Sequence, residues 1–493
     1  MSHISTFIWI FYGVLCSLLF VYGLNHYVLI RLFIRRRKQA LQDDAEREKN
    51  VLNQLNSGER VWPLVLTQLP LYNELNVAER IIRSAAAMEY PEGKHRIQVL
   101  DDSTDETREI VDRVVSELAA EGIDISVVRR PTREGFKAGA LKFGLEQDDA
   151  PYIAIFDSDF VPTRNFLKRS IPQIISQDEV GLVQARWGHL NREESWLTRA
   201  LAMGIDCHFV VEQSARSWNR LYLNFNGTAG VWRRRAIEDA GGWQADTLTE
   251  DMDLSYRAQL QGWRLHYLLD LVVPAELPST FTALKSQQFR WAKGSIQTAL
   301  KILPQLKLDP QKSWIKRFQA VCHLTHYAIH FCMFLMALVS LPMVLVQEID
   351  LGPLFWPLAL GPIIAASLGP SLSCIFSQVA FDPKRFSYAL SQLPSLLLVG
   401  FGISYSNARA VWEGLTGKQS AFVRTPKRGS NTQKSYKLKR SLGPWIETAL
   451  GAYCLLAFTL SLTTDRLNVG IFALIYVCAY WLVGIKSLRE SHA

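Results

Sequence analysis

Residues 5–30 form one apolar run without a single Asp, Glu, Lys or Arg, and the bases Arg35-Arg36-Arg37-Lys38 follow closely. A run of that length crosses a bilayer as a helix, and a basic flank marks the cytoplasmic side. A cleaved signal peptide is excluded on three counts: no basic segment precedes the run, the run is too long, and no small-residue cleavage site comes before the bases. The run is expected to be a signal anchor with its N-terminus outside. Further apolar stretches lie near 320–346, 353–378, 387–406, 445–463 and 468–485.

Charge then sets a parity condition. Segment 407–443 carries Arg409, Lys418, Arg424, Lys427, Arg428, Lys434, Lys437, Lys439 and Arg440 against the single acid Glu413. It is expected on the cytoplasmic side, as is the polar region after the first run. An even number of crossings must separate the two. The stretch 387–406, interrupted by Gln392, Pro394, Gly400 and Gly402, is the weakest and is expected to lie in the interface as an amphipathic helix. The expected organisation is an anchor at 1–34 and a cytoplasmic catalytic domain with an interfacial helix at 35–310. Two spans plus the interfacial helix fill 311–406, a basic loop 407–443, and two spans with a short tail 444–493.

The net charge of +8 gathers beside the apolar segments, which is the pattern of membrane flanks and not of a nucleic-acid surface. Seven cysteines occur without a CxxC pair. Most sit in or beside apolar stretches as small hydrophobes, so neither a disulfide framework nor a zinc site is expected.

Between the membrane segments, short β-branched runs alternate with helix-like ones. Strands are predicted at Val61–Thr67, Arg96–Leu100, Ile125–Arg129, Tyr152–Phe156 and Gly181–Ala185, with helices near 75–89, 104–120, 137–146 and 165–176. That rhythm predicts an α/β domain with a mostly parallel sheet and helices on both faces. Such sheets bind ligands outside the carboxyl ends of their strands. A GxGxxG fingerprint is absent, which argues against a dinucleotide site.

Four acidic or aromatic signatures follow in order: Asp101-Asp102-Ser103, Asp157-Ser158-Asp159, Thr249-Glu250-Asp251 and Gln287-Gln288-Phe289-Arg290-Trp291. The first two fall at predicted strand ends. Transfer from a sugar nucleotide must stabilise a departing diphosphate, and a hard cation such as Mg²⁺ or Mn²⁺ held by one or two carboxylates does so. Asp157 and Asp159 are the candidate ligands, although Asp159 can equally cap a helix. Asp102 is the candidate nucleotide contact, with Asp102-Ser103-Thr104-Asp105 also readable as a cap. Lys137, between Gly135 and Gly139, can meet nucleotide or phosphate where the backbone approaches closely, or can be a solvated charge.

Direct displacement needs a base for the acceptor hydroxyl. Asp251 is the candidate, with Glu250 shaping the site; both also suit the first turn of a helix over Met252–Gln261. Arg290 offers a fork of donors to diphosphate. Trp291 offers a flat face to a sugar ring, or is core or an interface anchor.

At these residues, and in Phe225-Asn-Gly-Thr-Ala-Gly-Val-Trp232, Ala240-Gly-Gly-Trp243, Glu250-Asp-Met-Asp-Leu254 and Glu276-Leu-Pro-Ser279, the sequence resembles processive family-2 glycosyltransferases of the cellulose synthase superfamily. It is most similar to the cellulose synthase-like A branch of glucomannan and mannan synthases and its bacterial relatives. The likeness runs from about Val65 to Leu303. It implies a GT-A-type domain fused to a helical channel, with Asp102 at the nucleotide, Asp157 and Asp159 at metal and diphosphate, and Asp251 as base. Gln287, Arg290 and Trp291 line the diphosphate and acceptor end, and Phe225, Asn226 and Gly227 face the acceptor. The segment Phe422-Val-Arg-Thr-Pro-Lys427 is similar to the gating loop of cellulose synthases, with Thr425 and Lys427 closing over the diphosphate. Two departures stand out: Arg290-Trp291 continues as Ala-Lys-Gly-Ser where the plant branch has Ser-Cys-Gly-Pro, and no PilZ-type domain follows the last span.

The implied activity is metal-dependent, inverting polymerisation of a β-glucan or β-mannan from UDP-glucose or GDP-mannose, with export through the spans. The partners are the sugar nucleotide, the growing polysaccharide and membrane lipid, without nucleic acid; oligomers and accessory proteins are left open. The protein would be multi-pass, in a plasma or inner membrane of a bacterium or a Golgi-type membrane of a eukaryote. The rivals are a nonprocessive transferase glycosylating a lipid and an inactive scaffold or transporter.

Overall fold

The computed structural model describes residues 3–307, 313–346, 355–418, 442–464 and 466–492. Its first element is a single helix, His3–Asn56, about 80 Å long at the α-helical rise. The boundary expected near residue 34 between anchor and catalytic domain falls within this helix, which no proline interrupts. Its apolar half leaves Phe7, Ile10 and Val14 exposed, as a lipid-facing surface does. Its polar half lies on the α/β domain, where Val51 and Leu55 enter the core with Ile171 and Ile175. Glu48 pairs with Arg169 at 3.3 Å and Asp44 with His266 at 3.1 Å.

The domain is built on a seven-stranded sheet: β1 (Val65–Leu71), β2 (His95–Asp101), β3 (Ile125–Val128), β4 (Tyr152–Ile155), β5 (Val180–His189), β6 (Gly230–Arg233) and β7 (Arg264–Ala275). The strand order is β3-β2-β1-β4-β6-β5-β7. β6 runs antiparallel to both β4 and β5, while β7 pairs in parallel with β5. β1 begins later than its apolar run because Pro63 has no N–H to give a ladder. Two apolar layers cover the faces. One gathers Val65, Val99, Val111, Val114 and Phe166, the other Leu66, Ile153, Leu223, Trp232 and Leu254. Side chains alternate across each strand, so neighbours such as Val65 and Leu66 feed opposite layers. The carboxyl ends of β1, β2 and β4 thus open on one edge of a rigid slab.

Beyond the domain, helices Ala328–Leu345, Phe355–Val379, Gly443–Ser461 and Leu467–His492 form the apolar part. Among the described residues, His3–Asn56, Ala328–Leu345 and Leu467–Glu490 are long and apolar enough to cross a membrane. The stretch expected as one interfacial helix is a bent pair, Pro383–Gly402 and Ser404–Leu415, meeting at 46° and together apolar enough for a broken span or a re-entrant segment.

Candidate active site

Two loops at the carboxyl edge are tied to each other. Asn73 adopts a left-handed backbone (φ 54); its N–H donates to Ser103 Oγ at 2.9 Å, and its side-chain oxygen accepts the Thr104 N–H at 2.8 Å. The neighbouring acids then divide their work. Asp101 is buried, accepting the Ser103 N–H (3.0 Å) and Arg129 Nε (2.9 Å). Asp105 accepts the Thr107 N–H that opens helix Thr107–Ala120. Asp102 lines the cleft and is gripped by Arg130 through both oxygens, at 2.9 and 2.6 Å. The grip fixes its orientation.

Lys137 opens helix Phe136–Leu145. The chain enters through two left-handed residues, Gly135 (φ 68) and Phe136 (φ 49), which turn the lysine into the cleft. Its Nζ donates to Asp157 Oδ1 at 2.5 Å and to the Gly227 carbonyl at 2.7 Å, and stands 3.9 Å from Glu250 Oε1. One ammonium therefore joins the end of β4, the loop before β6 and the start of helix Glu250–Leu260. Burial pulls its pKa down, but the Asp157 and Glu250 charges outweigh that and raise it. Asp157-Ser158-Asp159 forms a turn closed by the Phe160 N–H on the Asp157 carbonyl (3.1 Å). The next helix begins only at Phe166, after Asn165, so neither carboxylate caps it.

Helix Glu250–Leu260 carries three acids in its first turn. Asp253 turns away, buried against Arg257 (2.7 Å) and Lys301 (2.9 Å). Glu250 and Asp251 face the cleft. Burial, reinforced by the neighbouring Glu250 charge, pushes the Asp251 carboxyl up to about 7. Glu250 is likewise raised by burial, against the pull of Lys137. Gly227, at φ +81, lies against this pair: a Cβ there would come within 2.9 Å of Asp251 Oδ2.

Helix Phe281–Lys307 brings Gln287, Arg290 and Trp291 to the same cleft. Its first N–H groups, on Phe281 and Thr282, donate at 2.9 Å to Glu490 of the last helix, a favourable place for a carboxylate. Lys285 pairs with Glu447 at 2.7 Å and Lys293 with Glu413 at 3.1 Å. Three carboxylates from the C-terminal helices thus set the height of Arg290 and Trp291 over the sheet. Burial lowers the Arg290 pKa despite nearby Glu250 and Asp157.

Of the sequence-predicted residues, Asp102, Lys137, Asp157, Asp159, Asn226, Gly227, Glu250, Asp251, Gln287, Arg290 and Trp291 all line this one cleft. Phe225 is corrected: its ring is fully buried, edge-on to Trp232 at 5.8 Å, and lies in the core. Asn226 beside it accepts Gln213 Nε2 at 2.5 Å. Thr425 and Lys427 lie outside the described residues. The structure adds Trp187, at the end of β5, whose ring lies 6.4 Å from Trp291 and stacks on Phe209 at 4.7 Å. It also adds Tyr72, with the Arg133 guanidinium 3.3 Å from its ring centre. Their signal was positional: both sit where a strand reaches the open edge.

Carboxylates after a strand end, a lysine joining one of them, Asp157, to the helix-borne Glu250, and an Arg-Trp pair thus share one cleft. Residues 64–294 match the description Glycosyltransferase like family 2. A probable glucomannan 4-β-mannosyltransferase 7 of Oryza sativa subsp. japonica is 46% identical over 265 residues, 53% of this chain and 45% of that protein. Two Arabidopsis thaliana proteins, glucomannan 4-β-mannosyltransferases 7 and 2, are each 32% identical over 92% and 93% of this chain and 81% and 86% of theirs. Among solved structures, a mannosyltransferase from Pyrobaculum calidifontis in complex with GDP-Man and Mn²⁺ superposes loosely, with a TM-score of 0.45 at 18% identity over 79% of this chain and 100% of that one. The chain belongs to glycosyltransferase family 2 and is a hexosyltransferase related to the glucomannan 4-β-mannosyltransferases.

Proposed function

We propose that the chain polymerises a β-linked hexose, β-mannan or glucomannan before β-glucan, by processive inverting transfer at the membrane. The observation that carries the reading is Asp251, a half-buried carboxyl raised to about 7 in the cleft that also holds Lys137, Arg290 and Trp291. Asp251 takes the proton of the acceptor hydroxyl as it attacks the anomeric carbon, which inverts configuration. Lys137 and Arg290 meet the charge of the departing diphosphate. Trp291 supports the acceptor ring, and Asp102 with its Arg130 grip orients the nucleoside. The relatives are named as mannosyltransferases, so a mannosyl donor such as GDP-mannose is put first, with UDP-glucose as the alternative. A thermal-shift panel of the two separates them, since a ligand that binds the folded state raises its melting temperature.

Asp157 and Asp159 suit a hard cation by donor type. Among the described residues no three-residue cluster of metal-binding side chains exists, so water and the substrate's phosphates would complete the shell. Bound there, Mg²⁺ or Mn²⁺ would stabilise leaving-group charge. EDTA should abolish transfer and either cation restore it; full activity in chelator would remove the metal from the reading.

The protein is multi-pass in this reading, with its catalytic domain cytoplasmic and the product passing out between the spans. In this reading the basic segment 407–443 is cytoplasmic, the side where donor is available, and Thr425 and Lys427 are assigned to the departing diphosphate. A cysteine placed at Ser430 is expected to react only from the cytoplasmic side. Labelling from outside would make 387–406 a further crossing.

A further inference from the structure

The last residue of β5, His189, also lines the cleft. Trp187 and His189 stand two apart on one strand, so their side chains share a face, and Trp187 reaches to 6.4 Å from Trp291. His189 therefore lies on the Trp291 side of the cleft. Its Nε2 is 2.8 Å from Asp206 Oδ1. Asp206, the last residue of helix Trp196–Asp206, is only 5% exposed. It also accepts Arg192 Nη2 at 2.5 Å and Gln378 Nε2 at 2.9 Å, the latter from helix Phe355–Val379. Burial pushes this carboxyl up, but His189, the Arg192 charge and the Gln378 hydrogen bond prevail and hold it below the usual range.

An ionised carboxylate only accepts, so Nε2 carries a hydrogen, and in the neutral tautomer of the ring the lone pair lies on Nδ1. Among the described residues Nδ1 has no hydrogen-bond partner. The His189 side chain is 3% exposed at the cleft, and an acceptor nitrogen meeting a ligand there suits a sugar hydroxyl better than a phosphate, which offers no hydrogen at neutral pH. We propose that His189 binds a hydroxyl of the acceptor sugar held at Trp291, and that Asp206 is its positioning residue, set in turn by Arg192 and by helix Phe355–Val379 through Gln378. The proposal rests on the transferase reading above and adds the acceptor subsite.

The test uses the full chain in detergent with a short β-linked oligohexoside as acceptor and saturating sugar nucleotide. His189→Phe keeps the bulk of the ring without its nitrogens, and is expected to raise the acceptor KM about tenfold, the scale of one lost hydrogen bond. The donor KM should stay within about twofold. His189→Asn, whose side-chain oxygen takes the place of Nδ1, should recover most of the loss; it also carries the test if the Phe variant melts early. An unchanged acceptor KM in both variants, or acceptor and donor KM rising together, overturns the proposal. Wild-type protein that transfers from neither GDP-mannose nor UDP-glucose overturns the transferase reading itself.

Discussion

Asp251→Asn is expected to lower kcat by about 10³-fold while donor affinity changes little, because a well-placed general base contributes about 10²–10⁴. The substitution keeps the shape of the side chain, and the amide oxygen can still accept the Met252 N–H that now reaches Oδ1 at 2.8 Å. What disappears is the group that takes the acceptor proton. Wild type should also show its chemistry in pH. A carboxyl raised to about 7 is protonated, and idle as a base, below that value. Its active form grows as pH rises through it. The kcat/KM profile of wild type should therefore climb through about pH 7, with Glu250 and Asp251 titrating as a coupled pair, and the Asn variant should lose that limb. Near-normal turnover in Asp251→Asn moves the base elsewhere.

Gly227→Ala is expected to cost about 10²-fold in kcat, though the residue carries no chemistry of its own. At φ +81 an alanine is strained whatever the space around it. Here the added Cβ would also lie 2.9 Å from Asp251 Oδ2 and 3.3 Å from Lys137 Nζ. The base must turn, or the loop must lift and take with it the carbonyl that holds Lys137. A misplacement on the order of 1 Å at reacting groups costs about 10²-fold. Kinetics and a melting curve on one preparation check this. The variant should remain folded, because the strain is local and on the order of 1–3 kcal/mol. Unchanged kcat would mean that the Asp251 carboxylate does not work against Gly227.

Much of this arrangement was legible because strand ends are where an α/β sheet binds ligands. Locating β2 and β4 from their apolar runs put Asp102, Asp157 and Asp159 on one edge before any coordinate was known. The sequence motif singled out Glu250 and Asp251 in the first turn of helix Glu250–Leu260, and both line the cleft, while Arg257 and Lys301 draw the third acid, Asp253, inward. Phe225 misled because it adjoins true cleft residues. Consecutive residues in extended chain face opposite ways, and Phe225 takes the inner side. Strands β6 (four residues) and β7 lie beyond the last strand predicted, Gly181–Ala185, and complete the sheet on either side of β5. Trp187 and His189 were missed because β5 runs to His189, beyond the apolar run that announced it. The 54-residue first helix runs beyond its apolar segment because its polar second half is held on the domain by contacts such as Glu48 with Arg169.

The most direct measurement is the size of the product made early in the reaction, with labelled GDP-mannose or UDP-glucose in excess, metal present and enzyme limiting. A processive synthase yields long chains while most acceptors remain unextended, and β-specific glycanases should digest them. A lipid-extractable product bearing one sugar, or a ladder that lengthens evenly with time, would contradict the account.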